Sequence, residues 1–241
     1  MKVLIIFFVS LISTGCAVAP QQNFHATESY QQREEISTSL FASDSSQLSN
    51  EAAEQILNGK ITIPNNSRVA LLKLPSSNIG VRYYGYNYWR SEDYLDLQQS
   101  YVDTLTNRLL SAQPIENVVV LPSFVTSEKL SLPQMREAAV RMQANLLVIY
   151  KIESNIFENF RLFKSNQVKA FSNCEVAVLD TKTGILPFTN VVTMKHLVET
   201  KGSDSEMAET RKRAEIEVNK LCLNEIGSSI TNYINGIKTG L

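Results

Sequence analysis

The chain reads VKAFSNCEVAVLDTKTGILPFTNVVTMKHLV from Val168 to Val198. Apolar side chains lie on alternate positions on either side of the central DTKTG, which is the pattern of strands that bury one face. Those positions are Val168, Ala170, Cys174, Val176 and Val178 before it, and Leu186, Phe188, Val192, Met194 and Val198 after it. Asp180–Gly184 predicts a tight turn, because Gly184 tolerates a positive φ. We therefore expect a long antiparallel β-hairpin.

Apolar runs before this hairpin predict three more strands, joined by helices. The runs are Arg68–Leu74, Val118–Leu121 and Leu146–Tyr150. The first run is nearly continuous in apolar residues, as in strands that are covered on both faces, and the third is expected to be deeply buried. Apolar spacing of three and four residues predicts helices at about 92–112 and 131–143. Ser131 and Gln134 form a capping-box pattern at the start of the second helix.

Two further helices and an irregular piece complete the pattern. A short helix is expected over residues 49–58, and residues 153–166 are expected to be irregular. The inward side chains of the short helix are Ala53, Ile56 and Leu57. A long helix is expected from about 203 to 238, with the charged half, Glu206–Lys220, in solvent. Its inward stripe is Ala214, Val218, Leu223, Ile226, Ile230, Tyr233 and Ile237.

The order of elements after the first short helix is β-α-β-α-β-β-β-α. Strands joined through a helix run parallel, and strands joined by a tight turn run antiparallel. The sequence therefore predicts the α/β (α+β) class, with a mixed β-sheet and helices packed on it. Residues 49–241 are a suitable length for a single domain.

The N-terminus has the anatomy of a secretory signal peptide. Lys2 precedes the apolar run Val3–Ile12, and the small residues STG lead to Cys16. The run is too short for a spanning helix, which needs about 20 residues. Cys16 resembles the lipidated cysteine of bacterial lipoproteins, although the usual leucine three residues before it is absent. The resemblance implies a signal peptide over residues 1–15, lipidation of Cys16 and, because Ala17 follows, an outer-membrane location. An ordinary cleaved signal with an incidental cysteine is the alternative.

Residues 16–48 are predicted to form a flexible tether. Gln, Ser, Thr, Asn and Glu dominate them, and apolar residues are scattered without a period. Such a segment buries too little apolar surface to offset the entropy of ordering it. A flexible chain of this length spans roughly 30 Å, enough to hold a domain near a membrane.

Charge and cysteine content exclude several classes of function. The 23 Lys and Arg residues against 24 Asp and Glu leave no basic excess of the kind that nucleic-acid binding needs. With Cys16 lipidated, Cys174 and Cys222 are a candidate disulfide in an exported protein, or else two buried thiols. The 3 cysteines and 2 histidines do not have the spacing of a zinc site, so no metal and no cofactor is expected.

Catalytic motifs are not recognisable in the sequence. It contains no nucleophile elbow, Walker loop or dinucleotide-binding glycine pattern. His196 shares the parity of the inward residues of its strand and is expected to be a partly buried sheet residue. Glu92, Asp93 and Asp96 suit the start of a helix, where acidic side chains are favourable. The chain is therefore not expected to be an enzyme.

Aromatic residues are concentrated in the loop expected at 76–90. They are Tyr83, Tyr84, Tyr86, Tyr88 and Trp89. These residue types are enriched in the cores of protein interfaces. Three interpretations stay open: the loop folds back over the sheet edge, docks a partner, or stacks on glycan strands.

Three segments resemble a class of envelope lipoproteins. They are VALLKL (Val69–Leu74), ANLLVIY (Ala144–Tyr150) and VLDTKTG (Val178–Gly184). The class includes the curli secretion channel subunit CsgG, the penicillin-binding-protein activator LpoB and the N-terminal domain of TolB. The resemblance covers about residues 68–235 and implies the same mixed sheet, without catalytic residues. Membrane-crossing hairpins need strands of about 9–11 residues, and the irregular pieces 76–91 and 153–167 are too short for them.

We therefore expect a non-enzymatic, lipid-anchored periplasmic module that docks an envelope protein. The alternative is a structural subunit of an oligomeric envelope or secretion assembly, with the chain as a homo-oligomer. An envelope hydrolase is a third interpretation. The expected partners are the membrane, through the lipid on Cys16, and an envelope protein, with no nucleic acid.

Overall fold

The computed structural model describes residues 49–75, 92–122, 131–159, 165–201 and 207–237. The described elements are, in chain order, α1 (Asn50–Asn58), β1 (Ser67–Lys73), α2 (Glu92–Leu110), β2 (Ile115–Val120), α3 (Leu132–Arg141), β3 (Leu146–Asn159), β4 (Gln167–Asp180), β5 (Phe188–Glu199) and α4 (Met207–Gly236). All of them belong to the second of two units into which the chain divides, Glu35–Leu241.

The strands form one five-stranded mixed sheet with the order β2-β1-β3-β4-β5. β1 runs parallel to β2 and to β3, since helices join these strands. β3 and β4 are antiparallel, as are β4 and β5. The predicted order of elements and the α/β (α+β) class are confirmed.

The turn between β4 and β5 forms as predicted. The Asp180 side chain accepts a hydrogen bond from the Thr183 amide at 2.9 Å. The Gly184 amide donates to the Asp180 carbonyl at 2.8 Å. Gly184 has a φ of 79°, in the left-handed region that glycine adopts without strain. The turn sets the hairpin register, in which Val178 faces Phe188.

Helices cover the two faces of the sheet unequally. α2 and α4 pack on one face over an apolar core that includes Val69, Leu71, Val148, Tyr150, Cys174, Val176, Leu105, Leu109, Leu223 and Ile226. The short helix α3 packs on the other face over Ala70, Leu72, Leu147, Ile149 and Leu179. Residues 69–72 of β1 and the first half of β3 are therefore buried on both sides, which explains their continuous apolar runs.

β3 is longer than predicted. It has 14 residues, so the prediction that residues 153–166 are irregular is wrong over 153–159. Polar residues obscure the alternation there, because one of the inward positions is Ser154 rather than an apolar residue. Ser154 is buried, and its hydroxyl donates to the Glu215 carboxylate at 2.8 Å. Pairing with β4 supplies the backbone hydrogen bonds of this half of the strand.

The charged half of α4 is not a solvated face, contrary to the prediction. Ala214 and Val218 are fully buried against the far ends of β3, β4 and β5, as their place in the predicted inward stripe requires. The charged residues beside them pair with the sheet: Glu217 contacts His196 at 2.7 Å, and Arg211 contacts Glu158. These residues lie at the edge of the interface between α4 and the sheet. There the aliphatic part of a long side chain packs against the sheet while its charged group stays in contact with solvent.

Two of the three apolar side chains predicted to point inward from α1 are exposed, whereas the third, Ala53, is half-buried. Ile56 is 42% and Leu57 83% exposed, so that part of the prediction is wrong, although the helix ends at Asn58 as predicted. Across the described ranges, none of the helices combines the length and the apolarity needed to cross a bilayer.

Candidate functional site

A cluster of polar side chains lies in the otherwise apolar layer between the sheet and helices α2 and α4. We call it the β1-end cluster: Lys73, Gln98, Tyr101, Ser154, Glu215 and Asn219. β1 supplies Lys73 at its carboxyl end, α2 supplies Gln98 and Tyr101, β3 supplies Ser154, and α4 supplies the last two. The carboxyl ends of parallel strands are where open α/β sheets bind ligands.

Lys73 is the centre of this cluster. Its ammonium group donates a hydrogen bond to the Gln98 side chain and lies 6.0 Å above the centre of the Tyr101 ring. Burial lowers the pKa of Lys73, and the nearby Glu215 carboxylate limits that fall. A partly buried lysine of this kind marks a candidate functional site, although structural networks also shift pKa values.

The rest of the cluster fixes the neighbouring elements. The Asn219 amide donates to the Tyr101 hydroxyl at 2.8 Å in a buried contact. The Ser154 hydroxyl donates a hydrogen bond to the Glu215 carboxylate. This bond joins β3 to α4 one helical turn before Asn219. The cluster can therefore hold the end of β1 and the start of α2 in a fixed relation.

The β1-end cluster contains residues from the two elements that flank residues 76–91 in the chain; we call residues 76–91 the aromatic segment. Lys73 comes shortly before residues 76–91, and α2 begins directly after them, at Glu92. Sequence reasoning assigned Lys73 no role beyond its strand. The sequence did contain one signal for this site: Lys73 is a charged residue at the end of an otherwise apolar run in β1 that is buried on both faces.

The residues predicted to carry function divide into two groups. Cys16 and the aromatic residues Tyr83, Tyr84, Tyr86, Tyr88 and Trp89 lie outside the described residues, so their roles stay predictions. His196 is partly buried on β5, where it contacts Glu217. Within the described ranges, no group of three or more His, Cys, Asp and Glu side chains is arranged to hold a metal ion.

Cys174 and Cys222 lie side by side between β4 and α4. Both are buried free thiols in this structure. The Cys222 thiol donates to the Val192 carbonyl at 3.3 Å, and Ser172 contacts both cysteines. The contact with Cys222 and burial raise the pKa of Cys174, so its thiol stays protonated at neutral pH. The disulfide between them stays a prediction.

Comparison with known proteins finds similarity only at the level of solved structures. No family model matches the chain, and no curated protein matches it. A hypothetical protein from Chlamydia trachomatis is 12% identical with a TM-score of 0.36, covering 70% of this chain and 98% of that one. A minor lipoprotein from Acinetobacter baumannii is 9% identical with a TM-score of 0.33, covering 71% and 92%. A lipoprotein from Neisseria meningitidis is 10% identical with a TM-score of 0.30, covering 70% and 97%. These values are too low to transfer a function, and the resemblance to the CsgG-like class stays a prediction.

Proposed function

We propose that this chain is a lipid-anchored accessory module of the bacterial cell envelope that docks a protein partner without catalysing a reaction. The observation that carries the proposal is the contact between Lys73 and Gln98, which joins the elements on either side of the aromatic segment. Binding loops are effective when a rigid scaffold presents them. Here the scaffold is a buried strand and a helix that packs on the same sheet.

The anchor in this proposal is the lipid on Cys16. The charged start, the short apolar run and the small residues before the cysteine support it. The polar residues 16–48 then act as a tether that lets the folded domain reach a partner from the periplasmic side of the outer membrane.

The aromatic segment supplies the docking surface in this proposal. Tyrosine and tryptophan combine large apolar area with a polar tip and dominate interface energetics. The triple variant Tyr84→Ala, Tyr86→Ala and Trp89→Ala is expected to lower recovery of the crosslinked partner at least tenfold, since each aromatic anchor contributes about 1–2 kcal/mol. Crosslinking in cells, followed by purification of the full chain and mass spectrometry, measures that recovery.

Two matched arms control this experiment. Leu95→Ala replaces an exposed apolar residue of α2 and is expected to leave partner recovery unchanged. Cys16→Ser is expected to move the chain from the membrane fraction to the soluble fraction of the same cells. Unchanged recovery with the triple variant, or crosslinks to copies of this chain alone, would contradict partner docking. A membrane-bound Cys16→Ser variant would contradict the anchor.

A further inference from the structure

Among the described residues, no helix covers the far half of the second face of the sheet. α3 has 10 residues and covers the half of β3 that pairs with β1 and the neighbouring half of β4. β3 and β4 each have 14 residues, so their other halves extend beyond α3. Beyond α3, a group of side chains points away from α2 and α4. We call it the open patch: Phe157, Lys169, Phe171, Lys195 and Leu197. Phe157, near the end of the central strand β3, is 58% exposed, and Leu197, on the edge strand β5, is 54% exposed. Exposed apolar side chains that group together in this way mark interaction surfaces.

The strand register arranges the open patch in two rows. Phe157, Lys169 and Leu197 face one another across β3, β4 and β5 in one row. Phe171 and Lys195 are paired in the next row. The Phe157 and Phe171 rings meet edge to face with centres 5.6 Å apart, and the Lys169 ammonium lies 4.9 Å above the Phe171 ring. The patch therefore combines three apolar side chains with two ammonium groups.

Its charge selects the kind of occupant. The two rows contain two lysines and no carboxylate; on this face Glu153 and Glu199 each lie one row outside them. Glu153 is paired with Lys151 at 2.8 Å, and Glu199 accepts a hydrogen bond from Gln167 at 2.9 Å. Two copies of the patch placed face to face would bring like charges together, so a second copy is disfavoured. Apolar side chains beside lysines are the composition of surfaces that lie on anionic lipid.

We propose that the open patch binds the surface of an anionic phospholipid membrane, with Phe157 and Leu197 inserted among the headgroups. This inference rests on the proposed function in one respect, since the lipid on Cys16 would keep the patch close to the membrane. Each lysine near an anionic surface strengthens binding about fivefold. Such weak contacts suffice when a tether supplies a high effective concentration.

A fluorophore placed on the patch tests this contact in the full-length protein. Leu197→Cys introduces an exposed thiol for an environment-sensitive label, while Cys174 and Cys222 are 1% and 0% exposed and are shielded from it. In vesicles that contain phosphatidylglycerol and a headgroup-quencher lipid, we expect a blue shift and strong quenching of this label. Vesicles of phosphatidylcholine with the same quencher should give little of either.

Two variants control the test. Leu221→Cys carries the same label on α4, across the sheet from the patch, at a residue that is 44% exposed, and its label should not be quenched. The double variant Lys169→Glu and Lys195→Glu, added to Leu197→Cys, should lower quenching at least tenfold, because two favourable charges become unfavourable.

Each contrary result overturns the proposal. These results are no quenching at position 197, equal quenching at position 221, and quenching that survives the charge reversal. A blue shift without vesicles that grows with protein concentration would show that protein covers the patch. The mass of the labelled chain reports separately whether Cys16 carries lipid, so failure of the anchor is distinguishable from failure of the patch.

Discussion

The acid–base behaviour of Tyr150 is set by its burial. Tyr150 ends the apolar run LLVIY and is 2% exposed. Its side chain lies in the core under α2 and α4, near Cys174. Burial, followed by the influence of Cys174, raises the pKa of Tyr150 from 10.0 to about 12, because the ionised phenol is poorly solvated there.

Replacing Tyr150 by phenylalanine is expected to remove part of the alkaline loss of stability. Between pH 10 and about 12 the unfolded tyrosine ionises while the folded one stays protonated. The folded state then binds more protons, so the free energy of unfolding falls as pH rises, by about 2–3 kcal/mol across the window. Urea unfolding of both proteins at neutral and alkaline pH measures this, and the difference at neutral pH corrects for packing and hydrogen bonding. Parallel pH profiles would show that Tyr150 does not cause the loss.

At the scale of elements, the crossing of α2 and α4 depends on a small residue. A Cβ atom at Gly227 would lie 2.7 Å from the Cβ of Arg108 and 3.3 Å from a methyl group of Leu105. The helices are also joined at this point by polar contacts: Thr231 donates to the Arg108 carbonyl at 2.9 Å, and Arg108 to the Asn224 side chain at 3.0 Å. The helices cannot separate locally without breaking these bonds.

The substitution Gly227→Ala is therefore expected to destabilise the protein by about 1–3 kcal/mol, the usual cost of overpacking. Helix propensity alone predicts the opposite sign, since alanine favours a helix over glycine. Gly236→Ala is the matched control in the same helix, because no atom lies within 4 Å of its added Cβ. Thermal or denaturant unfolding should separate the two variants; equal midpoints would mean that the helices adjust freely.

At the scale of the whole molecule, the cysteine pair connects the hairpin to the last helix. Cys174 lies on β4, and Cys222 on α4 packs against the same strand and against β5. A bond between them would join elements that are distant in the chain. Such a link restricts the unfolded state and typically stabilises a protein by about 2–4 kcal/mol.

Protein isolated from the envelope without reductant is expected to contain the Cys174–Cys222 disulfide. Its formation transfers two electrons and two protons from the two thiols to a disulfide of an envelope oxidoreductase, which leaves as a dithiol. Thiol labelling in denaturant should then find neither cysteine free, and prior reduction should expose both and lower the melting temperature. The variant Cys174→Ala with Cys222→Ala should melt at the same temperature with and without reductant. Two labelled thiols in the unreduced wild type would show that the pair stays reduced.

The success of sequence reasoning followed the strength of the local pattern. The hairpin turn and the buried runs of β1 and β3 were predicted correctly, because alternation and continuous apolar runs report burial directly. β2 begins at Ile115 rather than Val118 and is an edge strand with Val120 47% exposed. Leu186 lies before β5 and packs on the α3 side of the sheet rather than with Phe188.

The second half of β3 was missed, because Ser154 stands at an inward position and its partner, Glu215, is remote in sequence. The charged half of α4 was assigned to solvent for the same reason: its sheet partners Glu158 and His196 are remote from it.

The sequence by itself determined the order of the elements, the mixed sheet and the turn at Gly184, since propensity, periodicity and turn chemistry act over a few residues. Tertiary structure alone decided which polar residues meet at the end of β1, that the two cysteines are neighbours, and that α3 covers only part of one sheet face. Those features depend on strand order and on how far α3 extends across the sheet. Both are consequences of packing between remote segments, which no local pattern encodes.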